Sequence, residues 1–164
     1  MKSFRDRLAW DAENGAIHDR DIPYLLIRPD SLMGIFEFLL ETERVAAFEA
    51  FARSIAHYGK GSAESYQALG AGQADALMAT IAETAPQLGW GIWTLSQSAD
   101  GLSLSVRNSP FAAGYGESDV PVCAPIRGML EAVGGLVLGQ AVTVRETGCV
   151  SQGADICRFE AIPA

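Results

Sequence analysis

Residues 91–108 read GIWTLSQSADGLSLSVRN. Ala99-Asp100-Gly101 carries turn chemistry, and the segments on either side, Gly91 to Ser98 and Leu102 to Asn108, suit strands, so the stretch predicts a β-hairpin. In the second arm Leu102, Leu104 and Val106 alternate with Ser103, Ser105 and Arg107. That is the pattern of a strand with one buried and one wet face. The hairpin decides the fold class, because most of the chain before Gly89 repeats with a helical period instead.

Upstream, Ile22 to Arg28 (IPYLLIR) is a short apolar run closed by Pro29 and reads as a strand or extended arm. Asp30 or Ser31 then caps a helix whose Leu32, Ile35, Phe36, Leu39 and Leu40 form a core-facing stripe. A second segment starts at Thr42, carries Val45, Phe48, Phe51, Ala52 and Ile55, and is expected to stop at Gly59. A third, about Ser62 to Leu69, and a fourth, about Gln73 to Thr84 with Leu77 and Ile81 inward, precede Pro86.

Downstream, Asn108 to Pro121 reads as a polar, glycine-containing loop. Pro125 suits a first helical turn, and Ile126, Met129, Leu130, Val133 and Val137 give a stripe that ends at Gly139. Strands Ala141 to Glu146 and Cys157 to Ile162 close the sequence. Helices first, then hairpin, helix and hairpin, predict an α+β domain, its helical N-terminal half packed on an antiparallel sheet. The expected organisation is one domain over 1–164, with an N-terminal arm and strand (1–30), a helical layer (31–88) and a sheet (89–164).

A chain of 164 residues, 49% hydrophobic, has enough apolar side chains to build one core and too many for a disordered chain. Its formal charge of -8 lacks the cationic excess that drives nucleic-acid binding, so no nucleic-acid partner is expected. Met1 to Arg20 has no signal-peptide apolar run, and Leu32 to Leu40 and Met129 to Leu138 are too short to span a bilayer. A cytoplasmic location is expected. Gly70-Ala71-Gly72 and Gly59-Lys60-Gly61-Ser62 lack the spacing of nucleotide-binding loops, and only His18 and His57 could serve as imidazole bases. No catalytic residue is assigned.

The chemistry concentrates at Arg145-Glu146-Thr147-Gly148-Cys149 through Cys157-Arg158-Phe159, where two cysteines and a glutamate flank one turn. Glu146 shares a strand face with Val142 and Val144, where a lone carboxylate is costly, so a cation or hydrogen-bond partner is expected. Cys123, just before the Pro125 helix, can return to the same place. Thiolates with one carboxylate suit four-coordinate structural zinc better than calcium or magnesium. Two plainer readings stand beside this one. The cysteines can serve as small buried hydrophobes, and Glu146 can pair with Arg127, Arg145 or Arg158.

The run Asn108-Ser109-Pro110-Phe111, then Cys123, Gly128, Glu146, Cys149, Gly153, Cys157 and Phe159, resembles the 4-vinyl reductase domain family. Tyr24-Leu25-Leu26-Ile27-Arg28-Pro29-Asp30 and Gly89-Trp90-Gly91 extend the resemblance toward the N-terminus. The family includes sensor domains of phenol- and xylene-responsive bacterial activators and a bacteriochlorophyll-synthesis protein. Its fold is similar to that of transport-particle subunits and haem nitric-oxide-binding domains. The resemblance implies structural zinc at Cys123, Glu146, Cys149 and Cys157, with Arg127, Arg145 and Arg158 as hydrogen-bond donors around it. It also implies a ligand pocket between helices and sheet, beneath the metal hairpin, drawing on Phe48, Phe51, His57, Tyr58, Tyr66, Trp90 and Trp93. The implied function is a sensor or carrier of an apolar or aromatic molecule, working as a homodimer and signalling through a protein partner. The alternative is a part in tetrapyrrole synthesis, carrying a pigment precursor or assisting vinyl reduction.

Overall fold

The computed structural model describes residues 3–68 and 72–164, so Leu69, Gly70 and Ala71, and with them most of the Gly70-Ala71-Gly72 loop, lie outside the described residues. The hairpin at residues 91–108 forms as its alternation predicts: β4 (Ile92–Ser98) pairs antiparallel with β5 (Gly101–Arg107). The chain's last two strands, β6 (Val142–Gly148) and β7 (Cys157–Pro163), complete a four-stranded antiparallel sheet of order β4-β5-β7-β6. Leu102, Leu104, Val106, Phe159 and Ala161 are buried on one face of its two central strands.

That face is covered by α6 (Ala124–Leu138), whose Ile126, Leu130 and Val133 are completely buried. The helix ends at Gly139 with φ +67, a left-handed C-terminal residue that glycine adopts without strain. Across α6 lies α3 (Glu41–Ala68), with α4 (Ala74–Gln87) beside it. The fold is therefore α+β, with helices on one face of an antiparallel sheet.

Four expectations are corrected. Helix α3 runs unbroken through Gly59 and Gly61, because the Gly59 position is a packing contact. A Cβ there would lie 2.9 Å from the Met129 Cε, so glycine admits the side chain of α6. The same two helices meet more tightly at Gly128, where a Cβ would sit 2.1 Å from the Ala52 carbonyl oxygen. Pro86 lies inside the last turn of α4 rather than beyond it.

The stripe from Leu32 to Leu40 is not one helix. It divides into α2 (Pro29–Met33) and a 3₁₀ turn (Gly34–Phe38), leaving Ile35 and Leu40 exposed while Phe36 and Met33 are buried. Within the expected loop 108–121, Pro110–Tyr115 forms α5, capped by the Ser109 hydroxyl accepting from the Ala112 N–H.

The N-terminal arm holds more structure than one strand. After α1 (Phe4–Arg7), strands β1 (Leu8–Asp11), β2 (Ala16–Asp19) and β3 (Ile22–Tyr24) form a separate three-stranded antiparallel sheet. Asp11 stabilises the first turn by accepting from the N–H groups of Glu13 and Asn14, and Gly15 supplies its φ of +64. Arg7 and Asp19 tie the sheet together through a buried pair at 2.9 Å, with the Arg7 guanidinium 5.7 Å from the ring centroids of Phe4 and Tyr66.

Candidate metal centre and cavity

The last two strands do not pair regularly. Their register shifts between Glu146 and Gly148, a bulge at Thr147. In a regular strand residues 146 and 149, three apart, face opposite sides. The extra residue of a bulge reverses that parity and brings the Glu146 carboxylate and the Cys149 thiol to one side. A 3₁₀ turn (Val150–Gln152) follows, ended by Gly153 at φ +88, with the Gln152 and Ala154 N–H groups donating to the Cys149 carbonyl. The chain then returns to Cys157. Cys123 arrives from elsewhere, as the residue that opens α6, its carbonyl accepting from the Ile126 and Arg127 N–H groups.

The ligating atoms of Cys123, Glu146, Cys149 and Cys157 all lie within 4.8 Å of one another. The three sulfurs are buried and no disulfide joins them. The Cys123 and Cys157 sulfurs are 3.6 Å apart, and the Cys123 N–H donates to the Glu146 Oε2 at 3.0 Å. The other carboxylate oxygen, Oε1, is buried with no hydrogen-bond partner. Such an orphan is expensive unless a cation meets it.

The protonation pattern reflects the crowding. Burial, with Cys149 beside it, pushes the Glu146 carboxyl up from its ordinary 4.5 to about 8. Cys123 is raised because its thiol donates to Cys149 and Cys157 and is itself buried. Cys157 is lowered, since it receives hydrogen bonds from Cys123 and Cys149, with help from the Val150 N–H. Four donors this close, three of them sulfur, fit a soft or borderline divalent ion held without an open position. Of the nearby arginines, Arg127 binds Glu49 at 2.8 Å and Arg158 binds Asp155 at 2.9 Å, while Arg145 is exposed. The Glu146 partnership with an arginine is therefore absent among the described hydrogen bonds.

A cavity of about 450 Å³ lies on the other side of α6. Its walls come from α3, α4 and the N-terminal sheet, with Pro125 and Met129 of α6 at one end. The metal-bearing hairpin contributes nothing to it, which corrects the expectation of a pocket beneath that hairpin: the inner face of the four-stranded sheet is already filled by α6.

Phe51, Tyr58, Tyr66, Trp90 and Trp93 line the cavity. Phe51, Ile55, Tyr58, Ser62 and Tyr66 follow helical spacing along one side of α3. Trp90 meets the edge of Phe111 with ring centroids 5.0 Å apart, and the Trp93 indole donates to the Trp90 carbonyl. Phe48 and His57 lie outside. Phe48 stacks on Phe36 at 4.1 Å, fastening the 3₁₀ turn to α3. His57 faces a separate depression near the C-terminal end of α6. The polar lining that sequence reasoning missed comprises Tyr24 and Thr84, and the missed apolar wall comes from the N-terminal sheet, including Leu8 and Ile17. Their signal was the Asn14-Gly15 pair between Trp10 and Ile17, a hairpin cue.

Residues 102–163 match the 4-vinyl reductase domain. A curated relative, the bacteriochlorophyll synthase 23 kDa chain of Cereibacter sphaeroides, is 37% identical over 62 residues, 38% of this chain and only 30% of that protein. Among solved structures, the phenol-responsive sensory domain of the transcription activator PoxR, bound to phenol, superposes with a TM-score of 0.80 at 20% identity, covering 97% of this chain and 86% of that one. A vinyl-4-reductase family protein from Methanocaldococcus jannaschii gives 0.54 at 14% identity, covering 83% and 90%. A trafficking protein particle complex subunit 3 from Naegleria fowleri, covalently bound to palmitic acid, gives 0.55 at 12% identity, covering 82% and 93%. These three structures share the fold. Among the described residues no helix is long and apolar enough to cross a membrane.

Proposed function

Because residues 102–163 match the 4-vinyl reductase domain, we propose that the chain is a zinc-containing binding domain for an apolar or aromatic small molecule, acting as sensor or carrier. The observation that carries this reading is the cavity itself: about 450 Å³, walled by aromatic and aliphatic side chains and separate from the metal cluster. Its size falls in the range of small-molecule sites. The likeness in fold to the phenol-bound sensory domain supports it.

Zinc is the proposed ion. Cys123, Glu146, Cys149 and Cys157 would hold it, and its chemistry there is structural: it cross-links the start of α6 to the β6–β7 turn and meets the orphaned Glu146 oxygen. Ser151 reinforces the junction by donating from its hydroxyl to the Ala112 carbonyl. The ligand-bearing turn is thereby tied to α5.

The chain is further proposed to act in the cytoplasm as a homodimer, passing any signal to a protein partner. The similarity to the bacteriochlorophyll synthase chain favours a second reading, a carrier or vinyl-reduction component in tetrapyrrole synthesis. Native mass spectrometry of freshly purified protein, alone and with phenols or porphyrins added, separates the two. Retention of a phenol supports the first reading, and retention of a porphyrin with no phenol supports the second. A protein that binds neither is not a carrier or sensor of either class.

A further inference from the structure

The geometry points to an uncharged two-ring phenol of about fifteen heavy atoms as the class of molecule that fills the cavity, neither a single phenol ring nor an acid. This rests on the binding function proposed above and adds the size, charge and polar handle of the ligand.

Size follows from volume. At about 30 Å³ per water-sized group, 450 Å³ accepts about fifteen such groups. A single phenol ring occupies roughly half of that and leaves the remaining walls without contacts, forfeiting dispersion energy. The mouth demands more still. Trp10, Leu25, Leu26, Ile27 and Tyr58 all border the cavity and are more than half exposed, at 68%, 74%, 76%, 51% and 76%. A second ring reaching these side chains covers apolar surface that one ring at the inner end leaves wet.

Charge follows from the lining. Among the described residues, none that borders the cavity is Asp, Glu, Lys, Arg or His. The nearest buried cation, Arg7, donates from Nε and a terminal nitrogen to both oxygens of Asp19. An ionised ligand would enter without a counter-charge, at a cost of several kcal/mol. The polar handle is neutral as well: Thr84 and Tyr66 hydrogen-bond each other through their hydroxyls at the cavity wall, and the Tyr24 phenol lines the same region. A hydroxyl pair of this kind can donate to and accept from one ligand hydroxyl.

Isothermal titration of the zinc-loaded full chain with phenol, trans-4-hydroxystilbene and stilbene-4-carboxylate at about pH 8 tests the inference. Hydroxystilbene is expected to bind at least about thirtyfold tighter than phenol, from the extra buried ring, and at least about tenfold tighter than the carboxylate. Thr84→Val, which is nearly isosteric, is expected to erase most of the preference for hydroxystilbene over stilbene. Tyr66→Phe gives the same readout from the other hydroxyl if the first variant fails to fold. Phenol binding as tightly as hydroxystilbene, or the carboxylate binding undiminished, overturns the inference and leaves the binding function standing. No binding by any probe overturns both.

Discussion

Replacing Glu146 by glutamine should weaken the metal-loaded protein and strengthen the metal-free one. In the metal-free fold the carboxyl is held at about 8 against its ordinary 4.5, chiefly because burial disfavours its charge. An acid whose pKa is raised on folding keeps a proton that the unfolded chain has already released. Its stabilising contribution is complete below pH 4.5, falls as the pH rises, and is gone by about 8. Full conversion of the shift sets a ceiling of about 5 kcal/mol. The carboxylate keeps partial exposure, which reduces the expected loss to about 2 to 3 kcal/mol. Glutamine has no such titration, and its carbonyl can still accept the hydrogen bond from the Cys123 N–H.

Urea melts of chelator-stripped protein at about pH 5.5 and about pH 8.5 read the effect directly. The parent should lose about 2 to 3 kcal/mol more than Glu146→Gln between the two, and the variant should be the more stable at the higher pH. With zinc restored the order reverses, because the variant lacks an anionic ligand and metal affinity rises with pH. Equal pH dependence of parent and variant after stripping would refute the claim that Glu146 is a buried, uncompensated carboxyl.

Metal analysis of protein purified without a histidine tag should give about one zinc per chain, and Cys149→Ser should lose it along with several kcal/mol of stability; a metal-free protein of equal stability removes the centre. Gly128→Ala places a Cβ 2.1 Å from the Ala52 oxygen, so α3 and α6 must separate, at about 3 kcal/mol or more in denaturant titration. Asp19→Asn removes the negative charge that faces the Arg7 guanidinium at a site where the two side chains, Arg7 and Asp19, are 10% and 8% exposed. A loss of about 3 kcal/mol is expected, together with faster hydrogen exchange in β1–β3 and weaker ligand binding, since that sheet walls the cavity. Unchanged exchange there contradicts the role given to the pair.

The four-stranded sheet was legible because side-chain alternation is a local signal: Leu102, Leu104 and Val106 announce the buried face by themselves. The metal ligands were legible for a different reason. Three thiols and an acid have few other uses in a buried cluster, although the bulge at Thr147 that aligns Glu146 with Cys149 left no mark in the sequence. Glycine misled at residue 59, where intrinsic propensity says stop and the tertiary contact with Met129 says continue. The N-terminal sheet escaped because its short strands carry charges and only the Asn14-Gly15 turn speaks for them. Phe48 and His57 were drawn into the pocket by residue type, whereas rotation about α3 turns both away from it.

The cavity and the scaffold around it are built from different parts of the polypeptide. The scaffold closes through main-chain approaches that leave no room for any side chain: Gly128 against Ala52, Gly101 against the Ala161 carbonyl, and Gly114 against the Pro29 carbonyl. The cavity wall, by contrast, is made of side-chain ends from helices whose backbones are fixed by those approaches. Substitutions along the wall can therefore retune what is accepted while the architecture stays still, and a redesigned receptor can be sought by varying Ile55, Ile81 or Leu88 without revisiting a single backbone contact.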